Sequence, residues 1–404
     1  MMSNGVISTA QHGFIGGRST QTQQLHFLNK VTSMFDERAQ LDIIYLDFSK
    51  AFDKVSHSKL LYMLRHLKVH PKIFFWVKDY LNGRTQVTVV DDTFSNNVAV
   101  TSGVPQGSVL GPLLFLVYIE DLIKAIGKDC TATTVYAYAD DIKLLGSDSN
   151  DLQKALDIVG RWTRQWDLQL NTNKSEHLTV REDRDNAHTF TMDNEDIPKV
   201  RSVRDLGIVL SEDLRWKPYV DKIRSRSTIL CHTILRSFSS SDHILLVNLF
   251  KTYVRPILEY NTCSWSPYLR SDIDSIEGVQ HMFTKRVCQR SNIKFSSYSD
   301  RLSILNLESL HDRRKKNDLI FLYKILHGYV DINYSDFFQQ NDFHGHNLRR
   351  HKSQLHRQET ANSLPLNNFF THRVIKNWNE LPETIVNSPS LETFKHKLRG
   401  WKLK

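Results

Sequence analysis

Four cysteines in 404 residues, Cys130, Cys231, Cys263 and Cys288, give little material for a disulfide framework or a zinc knuckle. No two stand at knuckle spacing, and a chain this long closes a core without staples, so they read as reduced thiols of an intracellular protein, nuclear or cytoplasmic. A metal site drawn from Cys263, Cys288, His281 and His311 finds no support in their spacings. Long apolar runs are scarce too. The longest, Val109 to Ile119, is too short to cross a bilayer, and the opening residues carry no secretory signal, so no membrane partner is expected. No internal repeat is visible.

What is present is globular in composition, 40% hydrophobic and 24% charged, with length for two or three domains. The net charge of +9 is uneven: residues 1–240 carry 29 Lys and Arg against 28 Asp and Glu, and residues 241–404 carry 24 against 16. A basic excess in the second part suits a nucleic-acid grip set apart from a cation-holding site, and suits a solvated basic surface equally well.

Periodicity predicts a helix capped by Ser19 or Thr20 and running to about Ala39, with Leu25, Leu28, Val31 and Phe35 inward. A buried strand, Asp42–Phe48, follows. Two helices come next, near His57–Leu67 and Pro71–Leu81, the second stopped by Gly83. "TQVTVV" and "NNVAVTS" read as a hairpin. Val109–Ile126 reads as a buried helix, "TTVYAYADDIKLLG" as two strands about a tight turn, and Asn150–Leu168 as an amphipathic helix with Leu152, Leu156, Val159 and Trp162 on one face. "HLTV" and "LGIVL" are short strands closing this region near residue 212. Beyond Leu214 the pattern is helical, over Lys217–Phe238, His243–Tyr253, Asp272–Cys288 and Glu308–His327. The polar, His-rich residues 331–361 read as a linker or loop, and a final helix is expected from Leu391. Three domains are expected: 1–212, 213–330 and 331–404.

The side-by-side Asp140 and Asp141 sit between two apolar, β-prone arms. Neighbours on a regular strand point to opposite faces, so only a turn lets both approach one point. Aspartate is also favoured in turns for its own hydrogen bonding, which explains one Asp better than two. Asp47, at the end of "IIYLDF", is a third carboxylate. If the two strands are neighbours in one sheet, Asp47 meets Asp140 at the same edge. Clustered carboxylates repel unless a cation neutralises them. Oxygen-only ligands that leave room for phosphates suit Mg²⁺, and two such ions about 4 Å apart stabilise both oxygens of an in-line phosphoryl transfer. Read without further context, "GVPQGS" (Gly103–Ser108) is a turn before a helix and Phe52 a core aromatic.

The ordered segments "QHGFIGGRST", "LDFSKAFDKVSH", "SGVPQGSVLGPLLFLVYIEDL", "YADD", "LNTNKSEHL" and "VRDLGIVL" resemble the reverse transcriptases of non-long-terminal-repeat retrotransposons, of the jockey-like kind. The resemblance covers Gln11 to Ser227 closely and the helical remainder more loosely. It implies an α+β fold: a right-hand polymerase palm with an antiparallel sheet packed on helices, partial fingers, and a mostly helical thumb and C-terminal region. It implies an RNA-directed DNA polymerase working by nucleotidyl transfer, with an RNA template, a DNA primer and deoxynucleoside triphosphates as partners.

Two Mg²⁺ ions, with Mn²⁺ as a substitute, would be held by Asp47, Asp140, Asp141 and the carbonyl of Phe48. Phe52 would fill the space of a 2′-hydroxyl, Gln106 would pack beneath the nucleotide, Gly107 would let backbone come close to it, and Lys174 would lie near it, as an acid toward pyrophosphate or as a surface lysine. Lys217, Lys222, Arg224 and Arg226 would follow a duplex backbone, which sets affinity and salt dependence rather than sequence choice. Arg18 would contact template or cap a loop. "HDRRKKND" opens a helix as a solvated basic cluster.

Only ten residues precede Gln11, fewer than the resemblance leads one to expect. The expectation is a chain that lacks most finger strands and the triphosphate clamp, so a weakly active or inactive nucleic-acid-binding remnant stands as the alternative. A two-metal nuclease is a third reading, disfavoured by the "PQG" loop and the aromatic at Phe52.

Overall fold

The computed structural model describes residues 5–181, 188–340, 353–357 and 361–401. The chain divides into two compact units: Met1–Gln23 with Ala39–Arg201, and Gln24–Arg38 with Ser202–Lys404. The division falls at Arg201, upstream of the expected boundary near 212. The "VRDLGIVL" hairpin groups with the helical second unit, and so do the residues from 331 onward.

The first unit is a five-stranded sheet backed by helices. Its strands are β1 (Leu41–Leu46), β2 (Thr134–Tyr138), β3 (Asp141–Gly146), β4 (Glu176–Val180) and β5 (Lys199–Val200), in the spatial order β5-β4-β1-β3-β2. All pairings are antiparallel except β5 with β4, so the expected antiparallel sheet carries one parallel edge. Alternation sets the faces. Ile44, Leu46, Val135, Ala137, Ile142 and Leu144 join one apolar cluster with Phe115, Tyr118, Ile119 and Leu122 of the Leu110–Asp129 helix and with Leu152, Leu156, Val159 and Trp162 of the Ser149–Trp166 helix. Asp42, buried on β1, is held by His177 Nε2 and Thr179 Oγ1, both at 2.8 Å. Burial pushes its carboxyl up, and these bonds more than offset that, leaving it below the usual value.

The expected hairpin between residues 85 and 99 is two nested two-residue ladders, Thr85–Gln86 with Val98–Ala99 and Val89–Val90 with Thr93–Phe94. Ser19 and Thr22 cap the Thr20–Asp36 helix reciprocally: Thr22 Oγ1 accepts from Ser19 N at 2.8 Å, and Ser19 Oγ accepts from Thr22 N at 3.4 Å.

Glu120 lies on the Leu110–Asp129 helix with 4% of its surface exposed. Burial pushes its carboxyl up to about 7, against the Ser8 N–H at 2.8 Å and Lys124, which favour the ionised form. The folded chain therefore holds this proton more tightly than the unfolded chain. The stability it contributes is full below the ordinary glutamate value and declines as pH rises toward 7. Thermal melts from about pH 5 to about pH 8 should show this decline, and Glu120→Gln should flatten it. An unchanged slope in that variant would contradict the assignment.

After Gln24–Arg38, the second unit continues with the hairpin Ser202–Asp205 and Ile208–Ser211, turned at Leu206 (φ +42°) and Gly207 (φ +92°). A Cβ at Gly207 would stand 2.9 Å from the Tyr260 ring, so the turn needs glycine for space as well as for conformation. Helices follow over Lys217–Ser237, Arg270–Arg290 and Leu310–Leu326. The helix expected over His243–Tyr253 is α-helical to Leu249, then makes a π-turn over Phe250–Val254, then resumes over Arg255–Glu259. Pro256 has no N–H to continue the ladder, which accounts for the wider turn before it.

Asp318 and Arg373 form a buried two-point pair at 2.8 and 2.9 Å, and Arg373 also donates to the carbonyls of Thr262 and Cys263. The polar segment read as linker or loop contains two short paired strands, Phe338–Gln340 and Leu355–Arg357. Its residues 341–352 and 358–360 lie outside the described residues. The closing helix Leu391–Gly400 is tied in by Phe394, stacked on Tyr323 at 4.3 Å. All four cysteines are buried and free. Among the described residues, no helix is long and apolar enough to cross a membrane.

Candidate active site

β2 and β3 meet in a two-residue turn, Ala139–Asp140, closed by the pair Tyr138 and Asp141. Ala139 has φ +57°, the left-handed region that mirror-image hairpin turns require at their first position. The ladder between β1 and β3 ends at Leu46 opposite Ile142, so the next position sets Asp47 against Asp141, with Asp140 beside them at the lip. Asp140 and Asp47 are close enough to interact. Burial raises the Asp140 carboxyl above its usual value, and the charge of Asp47 raises it further, against a bond from Asp140's own backbone. Asp140 and Asp47 are half-buried and Asp141 is exposed.

Asp47 is fixed from behind by the "LNTNKSEHL" loop. Asn171 N donates to Asp47 O at 2.8 Å, and Asp47 N donates to Ser175 Oγ at 3.3 Å. Phe48 bridges Leu170, and Ser49 N donates to Gln169 O at 2.8 Å. Asn171 and Ser175 were not singled out from sequence; their position on either side of Lys174 was the signal. Lys174 itself ends the short turn Thr172–Lys174 and is exposed.

Phe52 is half-buried, stacked on Phe115 at 4.3 Å and met edge-on by Phe14 at 6.0 Å. The Gly103–Ser108 loop is stitched to the same stretch. Gly103 N donates to Val55 O, Val104 N to Phe52 O and Ser102 Oγ to Asp53 O, at 2.8 to 2.9 Å. Gly103 (φ +87°) is packed so closely that a Cβ would stand 2.8 Å from Asp53 Cα. Gly107 (φ +79°) faces open space, and Gln106 Nε2 donates to Asp53 Oδ1 at 2.8 Å.

The remaining expected site residues are placed as follows. Among the described residues, no group of three or more His, Cys, Asp or Glu side chains is gathered to hold a metal ion. The register places Asp47, Asp140 and Asp141 at one lip, where the charge of Asp47 acts on the Asp140 carboxyl. Arg18 donates to the carbonyls of Thr9 (3.1 Å) and Gln11 (2.7 Å), so it caps its loop. Lys217, Lys222, Arg224 and Arg226 lie exposed on the Lys217–Ser237 helix of the second unit, and Lys217 is paired with Asp221 at 2.7 Å. The donor set at the lip, carboxylates with a neighbouring backbone, is the oxygen-only kind that Mg²⁺ or Mn²⁺ takes.

"QHGF" contributes more than sequence suggested. Residues 10–12 run along the edge of β2, with His12 N donating to Ala137 O (2.9 Å) and Ala137 N to Ala10 O (3.0 Å). Gln11 is wholly buried and bonds to the turn that carries Asp140.

This arrangement of a carboxylate lip, a half-buried aromatic and a stitched glycine loop can be set beside known proteins. The chain is 25% identical over 300 residues to the probable RNA-directed DNA polymerase from transposon X-element of Drosophila melanogaster, covering 71% of this chain and 32% of that protein. It is 25% identical over 289 residues to the RNA-directed DNA polymerase from mobile element jockey of the same species, covering 69% and 31%. The chain thus spans 31 to 32% of the length of these curated relatives. Among solved structures, apo telomerase from Candida Tropicalis is 12% identical, covering 73% of this chain and 50% of that one at a TM-score of 0.42, too loose an overlap to bear on the fold. Residues 1–210 match the family described as reverse transcriptase (RNA-dependent DNA polymerase), and the chain belongs to that family.

Proposed function

We propose that the chain is the RNA-directed DNA polymerase of a non-long-terminal-repeat retrotransposon, extending a DNA primer on an RNA template with deoxynucleoside triphosphates. The observation that carries this reading is the strand register, in which β1 runs out at Asp47 beside the β2–β3 turn that carries Asp140 and Asp141. Asp47, Asp140, Asp141 and the Phe48 carbonyl would hold divalent cations, which supply charge to the primer hydroxyl and the phosphates when bound.

The chain's own residues do the rest. Asn171 and Ser175 hold the Asp47 backbone. Phe52, backed by Phe115, presents a flat apolar surface that offers a 2′-hydroxyl neither room nor a hydrogen bond. Gln106, Gly107 and Lys174 line the nucleotide's approach. Lys217, Lys222, Arg224 and Arg226 supply salt-dependent grip on phosphates.

Primer extension on a primed RNA template, with template-directed incorporation, tests the reading; no incorporation with either Mg²⁺ or Mn²⁺ would overturn it. Phe52→Ala should lower the preference for deoxy- over ribonucleotides by about 10²-fold, measured as the ratio of kcat/KM values. An unchanged ratio would leave the ring a packing residue. A second reading, a nucleic-acid-binding remnant, draws on the exposed Lys217, Lys222, Arg224 and Arg226. It predicts salt-sensitive duplex binding with no incorporation.

A further inference from the structure

Gln11 has 0% of its surface exposed, and its carboxamide is engaged on both sides. Oε1 accepts from Ala139 N at 2.8 Å and from Gly13 N at 2.7 Å, and Nε2 donates to Ala139 O at 3.1 Å. Both backbone polar groups of Ala139 are therefore held by one side chain. Ala139 is the residue that needs holding: an L-residue with a Cβ in the left-handed region costs about 1–2 kcal/mol, and no glycine is supplied there to relieve it.

The contact is close as well as bonded. A Cβ at Gly13 would stand 2.3 Å from Ala139 N, so the Gln11–Gly13 backbone is pressed directly against the turn. Fixing both peptide planes of Ala139 fixes the start of Asp140, the next residue. Only a carboxamide of this length donates and accepts across one residue in this way. Glutamate keeps the acceptor alone, and methionine keeps neither.

We propose that Gln11 is the positioning residue for Asp140: its carboxamide holds the Ala139–Asp140 turn in the conformation that brings the Asp140 carboxylate beside Asp47. Its consequence for nucleotide incorporation rests on the polymerase reading above. Its consequence for the turn and for cation binding does not.

The test uses the full chain with Gln11→Met, which matches the side chain in length and removes all three bonds. Three quantities are measured: Mn²⁺ affinity by electron paramagnetic resonance without nucleotide, hydrogen exchange of the peptide spanning Thr134–Gly146, and single-turnover extension beside primer–template affinity. Expected are a loss of protection at Ala139, a fall in Mn²⁺ affinity of about 10-fold or more, and a fall in extension rate of about 10²-fold with primer–template affinity unchanged.

A merely structural role would lower rate and primer–template affinity together, in step with the unfolded fraction, and leave Mn²⁺ affinity per folded molecule intact. That result overturns the proposal. If the unaltered chain extends no primer, the polymerase reading fails, while exchange and Mn²⁺ affinity still decide the role of Gln11. If Gln11→Met does not fold, Ala139→Gly combined with it removes the cost of the left-handed residue. The double variant should fold and still show the weakened Mn²⁺ binding relative to Ala139→Gly alone; equal binding in the two overturns the proposal.

Discussion

Asp140→Asn should abolish primer extension on an RNA template, by about 10³-fold or more, in a chain that stays folded and melts at or above the temperature of the unaltered protein. The two halves of this expectation have one origin. Burial and the charge of Asp47 both disfavour the ionised Asp140 carboxylate. Because the folded chain raises this group above its unfolded value, its ionisation near neutral pH costs stability, and a neutral amide of the same shape removes that cost. A carboxylate kept where it destabilises is a mark of a functional site. Melting and extension measured on the same preparation separate the cases. A variant that loses stability, with activity following the folded fraction, would mean that Asp140 serves the turn alone.

Gly13→Ala carries the second large effect. The added methyl would need the space of Ala139 N, 2.3 Å away, and the neighbour is backbone on a hairpin that cannot swing aside as a side chain can. The edge pairing of residues 10–12 with Ala137 and the Gln11 bonds to Ala139 must give way together. We expect a loss of about 2–4 kcal/mol in urea unfolding, with extension lost even at temperatures where the variant is folded. Gly127→Ala is the matched control. It sits in the Leu110–Asp129 helix with nothing within 4 Å of an added Cβ, so it should gain about 0.5–1 kcal/mol and keep full extension. A neutral Gly13→Ala would mean that the first segment does not press on the turn.

Much of the first unit was legible because local pattern and tertiary role agree there. The apolar arms around Asp140 and Asp141 are strands because alternation and β-branching say so, and the pair of charges could only sit at their junction. Asp47 ends a strand whose apolar side chains need a buried sheet, and the pairing of β1 with β3 follows from that need. Gln11 was not legible. A glutamine before a glycine looks like loop, and its partner is 128 positions away, a contact that no periodicity announces.

The second unit was harder for other reasons. A proline effect felt several residues upstream hid the π-turn at Phe250–Val254. The strands Phe338–Gln340 and Leu355–Arg357 lie in a segment whose polar composition argued against them. The hairpin at 202–211 follows the sheet in sequence and groups with the helices that come after it. For Arg18 the sequence leaves a template contact and a loop cap both open, and for Gln106 it suggests a place beneath the nucleotide. In the structure Arg18 donates to carbonyls of its own loop, and Gln106 donates to Asp53.

Direct titration of Mn²⁺ into the unaltered chain, Asp47→Asn and Asp140→Asn, followed by electron paramagnetic resonance without nucleic acid or nucleotide, tests the metal-holding lip with the fewest intervening steps. Saturable binding in the unaltered chain that is lost in both variants is the predicted result. Equal binding in all three would contradict it.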